Sequence, residues 1–252
     1  MQSTLRSLRL GSRFGNRLSV AKYHSASHPN ILINTKAPES ILLTKALDYL
    51  PKYGFHKQCI DDAVRDLGYA DSLQSVIAAN PSNESPELQL TLFWLKHQRQ
   101  KLYEHVLDPK SEFHKIPDEF DRAAYLLKER LSYNQPVVGQ LASGLSQLVL
   151  PYNWSASLAE LHALSDDIAY YAGDMSNDSA WYAKRLLLSS IYVKSELYML
   201  SDRPPFDSTN SFVDRNIQAV RFMGDSYNAV EQWSFFNAIS LLNLIRSQLA
   251  RG

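Results

Sequence analysis

The chain has 252 residues, 45% of them hydrophobic, with 26 Lys and Arg balanced by 26 Asp and Glu and a single cysteine. One cysteine excludes an intrachain disulfide and a cysteine-rich zinc site, and it fits a reducing compartment. No window reaches the roughly 18 consecutive apolar residues of a membrane span, so any membrane attachment is expected to be peripheral.

Residues 1–37 contain Arg6, Arg9, Arg13, Arg17, Lys22 and Lys36, many serines and no Asp or Glu. On a helix the four arginines fall within one arc, with Leu5, Leu8, Phe14 and Leu18 largely outside it. This basic, amphipathic, acid-free composition predicts a mitochondrial transit peptide cleaved between Arg17 and Pro38. Its loss leaves 20 basic against 26 acidic residues, which makes a polyanion an unfavourable main partner. The remaining residues suit one sizeable domain with its own core.

From Pro38 to Gly54 the pattern predicts a helix with Leu43, Leu47 and Leu50 on one face. Ile60, Val64 and Leu67 mark a second, stopped by Gly68. Ser72 to Ala79 is a third short apolar segment, ending at Asn80-Pro81. Residues 38–80 thus have the size and order of a helix-turn-helix module, but its charge argues against reading DNA. Between Glu39 and Asn80 four basic residues face six acidic ones, and the third segment contains no Lys or Arg, whereas duplex affinity rests on cations against phosphates and base readout on donor side chains.

Longer helices follow over 81–226. Leu88, Leu92, Leu95, Leu102 and Val106 mark one that starts at Pro86 and ends before Asp108-Pro109. Phe120, Ala124, Leu127 and Leu131 are the expected inward face of the next, after Pro117. Val137, Leu141, Leu145 and Leu148 mark another, and Leu158, Leu161, Leu164 and Ile168 one more. A helix from about Ser179 to Leu200 is broken by Asp202-Arg203-Pro204-Pro205, and one from Ser208 to Met223 follows. No alternating strand window and no repeat occurs, so the fold class is all-α, three short helices on a longer bundle.

Residues that could perform chemistry are scattered. No Glu is followed three residues later by His, which a di-iron bundle needs, and no nucleophile elbow or phosphate loop occurs. His56, His97, His105, His114 and His162 read as ordinary surface or helix-end residues. Cys59, beside Asp61 and Asp62, is a poor thiolate. No metal site, cofactor or catalytic residue is predicted.

Residues 166–202 carry the most specific signal. Asp178, Trp181, Tyr182 and Arg185 are spaced to share one helix face behind a Gly173-Asp174 turn. Trp, Tyr and Arg are the types enriched at interface hot spots; the same spacing also allows a buried Trp flanked by an Asp178 to Arg185 link. The Trp-Tyr-x-Lys-Arg core and the following Ser195-Glu196-Leu197 resemble the mitochondrial ubiquinone-biosynthesis accessory proteins, the ninth coenzyme Q family, lipid-binding relatives of the TetR repressors. The resemblance is good from Leu148 to Arg251 and looser before. It implies a TetR-like bundle with a vestigial helix-turn-helix part, a hydrophobic cavity for an isoprenoid quinone lipid, and no catalytic activity. It also implies that Asp178, Trp181, Tyr182 and Arg185, extended by Ile168, dock on the demethoxyubiquinone hydroxylase, and that other coenzyme Q biosynthesis proteins are partners. The lipid-contacting side chains are not legible, and a homo-oligomer stays open.

The last predicted helix, Tyr227 to Arg251 within a terminal part 227–252, is apolar over most of its circumference. It carries Trp233, Phe235, Phe236, Leu241, Leu242, Leu244 and Ile245, with only Arg246 and Arg251 basic. Such a helix is packed in the core or applied to an external apolar surface. The resemblance implies the second, on the matrix side of the inner membrane. The alternatives are a TetR-type ligand-responsive regulator, against which the leader speaks, and an uncharacterised enzyme on a helical bundle.

Overall fold

The computed structural model describes residues 33–69, 84–174 and 179–223. Residues 1–32 of the leader, the third short segment at 72–79, Asp178 and the whole terminal part 227–252, including Trp233, Phe235, Phe236, Leu241, Leu242, Leu244 and Ile245, lie outside the described residues. Among the described residues the fold is all-α, with no strand: α1 Pro38–Leu47, α2 Leu50–Tyr53, α3 Gln58–Asp66, α4 Pro86–Leu107, α5 Glu119–Ser132, α6 Val138–Leu148, α7 Trp154–Ala172, α8 Ser179–Met199 and α9 Asp207–Met223. Short 3-10 turns occupy Glu112–Lys115, Gln135–Val137 and Pro151–Asn153. No described helix is long and apolar enough to cross a membrane.

The helix boundaries follow local chemistry. The Ser85 hydroxyl accepts from the Leu88 amide at 3.2 Å and Pro86 occupies the first turn of α4, satisfying one orphan N–H and wasting none. Asp118 caps α5 through the Asp121 amide at 3.1 Å. The single helix expected over 38–54 is instead two, α1 and α2. The ring of Pro51 would clash with the carbonyl of Leu47 in a continuous helix and has no N–H to offer it. At the end of α7, Gly173 has φ +105°, and the amides of Gly173 and Asp174 bond back to the carbonyls of Tyr170 and Ala169, both at 3.0 Å. This glycine-dependent cap closes α7 and folds Asp174 back against the bundle.

Two apolar cores result. The first joins α1 and α3 to the N-terminal half of α4 and to α6, through Leu42, Ile60, Leu88, Trp94 and Leu141. Phe55 meets the Trp94 ring edge-on at 5.3 Å and lies against Gly144, where a Cβ would stand 2.7 Å from the Phe55 ring. The second core joins the C-terminal half of α4 to α5, α7, α8 and α9, through Leu102, Leu127, Ile168, Ile191 and Ile217. The short N-terminal helices are therefore packed directly on helices of the bundle.

Candidate functional site: a cavity walled by buried arginines

A cavity of about 190 Å³ opens between α4, α5, α6, α7 and α8. Leu95, Leu145, Leu161 and Leu164 supply apolar wall, and Trp154 and Leu158 stand at its rim. Leu158 is 61% exposed, although the apolar spacing of α7 predicts that it faces inward with Leu161 and Leu164. Among the described residues, the cavity and no helix lies on that side of it.

The same wall contains Arg99, Glu160, Arg130, Tyr192 and Glu196. Arg99, 3% exposed, donates from Nε to Asp167 at 2.7 Å and from Nη1 to Glu160 at 2.9 Å. Burial opposes its charge, but Glu160 and Asp167 outweigh that and hold its pKa above the ordinary arginine value. Arg130 is fully buried; its Nη1 donates to Asn134 Oδ1 at 2.7 Å, and its guanidinium carbon lies 5.3 Å from the Trp94 ring centre and 5.4 Å from that of Tyr192. Asn134 Nδ2 and Tyr192 Oη both donate to Glu196 Oε1 at 2.8 Å. Burial raises the pKa of Glu196, against the opposing effects of Arg130, Tyr192 and Asn134, and burial likewise raises that of Tyr192.

Sequence reasoning missed these charges, although a signal existed. Arg99 falls at the 3,4 spacing of Leu92, Leu95, Leu102 and Val106, inside the apolar stripe of α4. A charged residue at a stripe position is buried with its helix face and must find a partner across the bundle.

Beside the cavity, α7 and α8 hold a second charged cluster. Arg185 donates from Nε to Asp166 at 2.6 Å, and from Nη1 to Asp174 at 2.8 Å and the Trp181 carbonyl at 3.2 Å. Its guanidinium lies 3.8 Å over the Trp181 ring centre. Lys184 bridges Asp174 and Glu119, both at 2.8 Å. The Trp181 ring, half-buried, meets His162 and Tyr182 edge-on at 5.9 and 4.6 Å.

Residues 154–224, which begin with α7 and take in α8 and α9, match the COQ9 family model. The chain is 34% identical over 227 residues to the ubiquinone biosynthesis protein COQ9, mitochondrial, of Saccharomyces cerevisiae, covering 86% of each chain. It is 32% identical over 248 residues to the protein of the same name from Eremothecium gossypii, covering 94% of this chain and 93% of that one. It is 30% identical over 198 residues to the rat protein, covering 75% of this chain and 61% of the relative. The chain belongs to the COQ9 family.

Within this COQ9 family member the predicted docking residues do not form one surface. Ile168 has no exposed area and belongs to the second core, because it lies on the inward face of α7. Arg185 is 3% exposed, drawn under the surface by the two carboxylates of α7 and its cap. Its anionic partners are Asp166 and Asp174, and Asp178 lies outside the described residues. Tyr182, 72% exposed, and Leu186 are what the first turns of α8 present outward, and Trp181 lies between Tyr182 and the buried cation.

Two further sequence readings meet the structure. Cys59 is fully buried and its Sγ donates to the Gly54 carbonyl at 3.1 Å; burial is the first cause of its raised pKa, ahead of the neighbouring Asp62. His105 is no isolated surface residue. Its Nε2 lies 2.9 Å from Ser111 Oγ and 3.0 Å from Tyr125 Oη, and its Nδ1 3.8 Å from Glu129. Ser111 Oγ also caps the Glu112–Lys115 turn through the Phe113 amide, so the group ties that turn to α5. Neither Ser111 nor His105 lines the hollow beside Tyr125 and Glu129.

Proposed function

We propose that this protein serves ubiquinone biosynthesis in the mitochondrion as a lipid-binding accessory factor. It would hold an isoprenoid quinone intermediate and present it to the demethoxyubiquinone hydroxylase on the matrix side of the inner membrane. The observation that carries this reading is the cavity itself, apolar over most of its wall and opening beside exposed Leu158 and Trp154. Ligand sites are concave, mostly apolar and furnished with a few placed polar groups, a description that suits this one. The relatives' names supply the pathway and the compartment, and the basic, acid-free leader agrees with the latter.

The hydroxylase face in this reading is built from Tyr182, Leu186 and Trp181, with Arg185 supporting Trp181 from beneath; Asp178 of the same sequence run is assigned to it as well. A half-buried aromatic such as Trp181, held by the buried ion cluster beneath it, loses little entropy on docking. Membrane contact is assigned to 227–252 through Trp233, Phe235, Phe236 and their apolar neighbours. The TetR-like division, with 38–80 as a helix-turn-helix remnant on the lipid-holding bundle, belongs to the same proposal.

Mass spectrometry of lipid extracted from the purified protein tests the reading. Co-purified isoprenoid quinone supports it, and its absence after expression in ubiquinone-producing cells would overturn it. Deletion of residues 227–252 tests the membrane assignment separately: the shortened protein should keep its helical circular dichroism and no longer float with liposomes.

A further inference from the structure

Two guanidinium nitrogens of Arg130 are left without a hydrogen-bond partner among the described residues. Its Nη1 is engaged by Asn134, but neither Nε nor Nη2 makes a hydrogen bond among the described residues, and the side chain has no exposed area. Nε and Nη2 are the two nitrogens of the guanidinium's side-on fork, whose N–H bonds run parallel and match a pair of neighbouring oxygens. An arginine cannot shed its proton to escape a dry site, and buried donors without partners are costly. Trp94 and Tyr192 lie within cation-π reach of the guanidinium. Arg99, in the same wall, has its Nη2 unpartnered too.

Arg130 belongs to the cavity wall, and the cavity's size limits what can meet it there. An apolar cavity of about 150 Å³ holds a benzene ring, so about 190 Å³ accommodates one substituted ring and not a polyprenyl chain. The rest of a long amphiphile would leave past the rim at Leu158 and Trp154.

We infer that Arg130 is a head-group-reading residue: it receives two adjacent oxygens of a ring whose apolar chain passes out over Leu158. This rests on the lipid-binding reading and specifies the polar end of that same site. Two ring chemistries supply such a pair, a carboxylate and a quinone carbonyl flanked by an alkoxy oxygen. An alkylbenzene of equal length supplies neither.

Full-length protein titrated calorimetrically with para-decylbenzoate, decylubiquinone and decylbenzene tests the inference. At least one of the two oxygen-bearing probes should bind about tenfold or more tighter than decylbenzene, the equivalent of one good hydrogen bond. Whichever of the two leads identifies the acid or the neutral quinone as the head group. Arg130→Lys, which keeps the charge and loses the fork, and Arg130→Met should abolish the preference and leave decylbenzene binding in place. Equal binding of all three probes by the wild-type protein would overturn the head-group assignment while sparing the lipid reading, and this comparison requires no variant to fold. Binding of none of them would overturn both. A preference that survives in Arg130→Lys and Arg130→Met would remove Arg130 from the role.

Discussion

The Arg185 guanidinium lies 3.8 Å over the centre of the Trp181 ring, with Asp166 and Asp174 at 2.6 and 2.8 Å on its donors. One cation thereby joins α7, its glycine cap and the first turns of α8. The ring is held from its face by a charge that cannot move without breaking two ion pairs, so the orientation of Trp181 is fixed from beneath.

Removing Arg185 should consequently be a stability lesion. Arg185→Ala removes the buried cation shared by Asp166 and Asp174, and breaking a buried ion pair from one side typically costs about 3–5 kcal/mol. Arg185→Lys should rescue only part of this, since an ammonium cannot serve two carboxylates and stack on indole at once. Urea midpoints of the three proteins decide it. A wild-type midpoint in Arg185→Ala would mean that the cluster contributes nothing.

Tyr182 should behave in the opposite way. At 72% exposure its truncation to Ala should shift stability by no more than about 0.5 kcal/mol. As the most exposed aromatic of the proposed docking face it should weaken hydroxylase binding by about 2 kcal/mol, roughly 30-fold. Trp181→Ala should lower both quantities, because the indole also covers the buried cation. Binding measured on immobilised hydroxylase, beside a denaturation curve for each variant, separates the two residues. Full hydroxylase affinity in Tyr182→Ala would rule out this face.

Glu196 predicts a pH signature. Burial holds its folded-state pKa above the ordinary 4.5. Below that value both states carry the proton; above it the unfolded chain releases its proton first, so the wild-type protein loses stability as pH rises toward the folded pKa. Gln at this position can still accept from Asn134 and Tyr192 and does not titrate. The stability of Glu196→Gln relative to wild type should therefore increase as pH rises above 4.5. Urea midpoints of both proteins across that range test this, and a difference independent of pH would contradict it.

Leu158→Asp probes the rim. The residue is largely exposed, so the change should leave the melting temperature nearly unaltered, while a charge at the mouth should reduce co-purified lipid several-fold by disfavouring passage of an apolar chain. Lipid quantified per mole of protein for the two forms gives the answer. Unchanged lipid content would place the entrance elsewhere.

The all-α fold and the general order of the described helices were legible because 3.6-residue periodicity, Pro at first turns and Gly at ends act within a few residues of themselves. Ser85, Asp118 and Gly173 do in the structure what such residues do in any helix of this kind. The Trp-Tyr-x-Lys-Arg run was legible as a distinctive cluster for the same reason. Which of its members face outward was not: residues 181, 182 and 185 share a helix arc, and only the packing of α8 on α7 decides that Arg185 turns in toward Asp166 while Tyr182 turns out. The charged wall of the cavity depends still more on tertiary structure. Arg99 meets Glu160 and Asp167 from more than sixty residues away, and Arg130 is brought beside Tyr192 and Glu196 only when α5 and α8 pack. Sequence periodicity can say that a charge lies on a buried stripe. Only the assembled bundle determines whether its donors find partners, and among the described residues two of Arg130's three nitrogens do not.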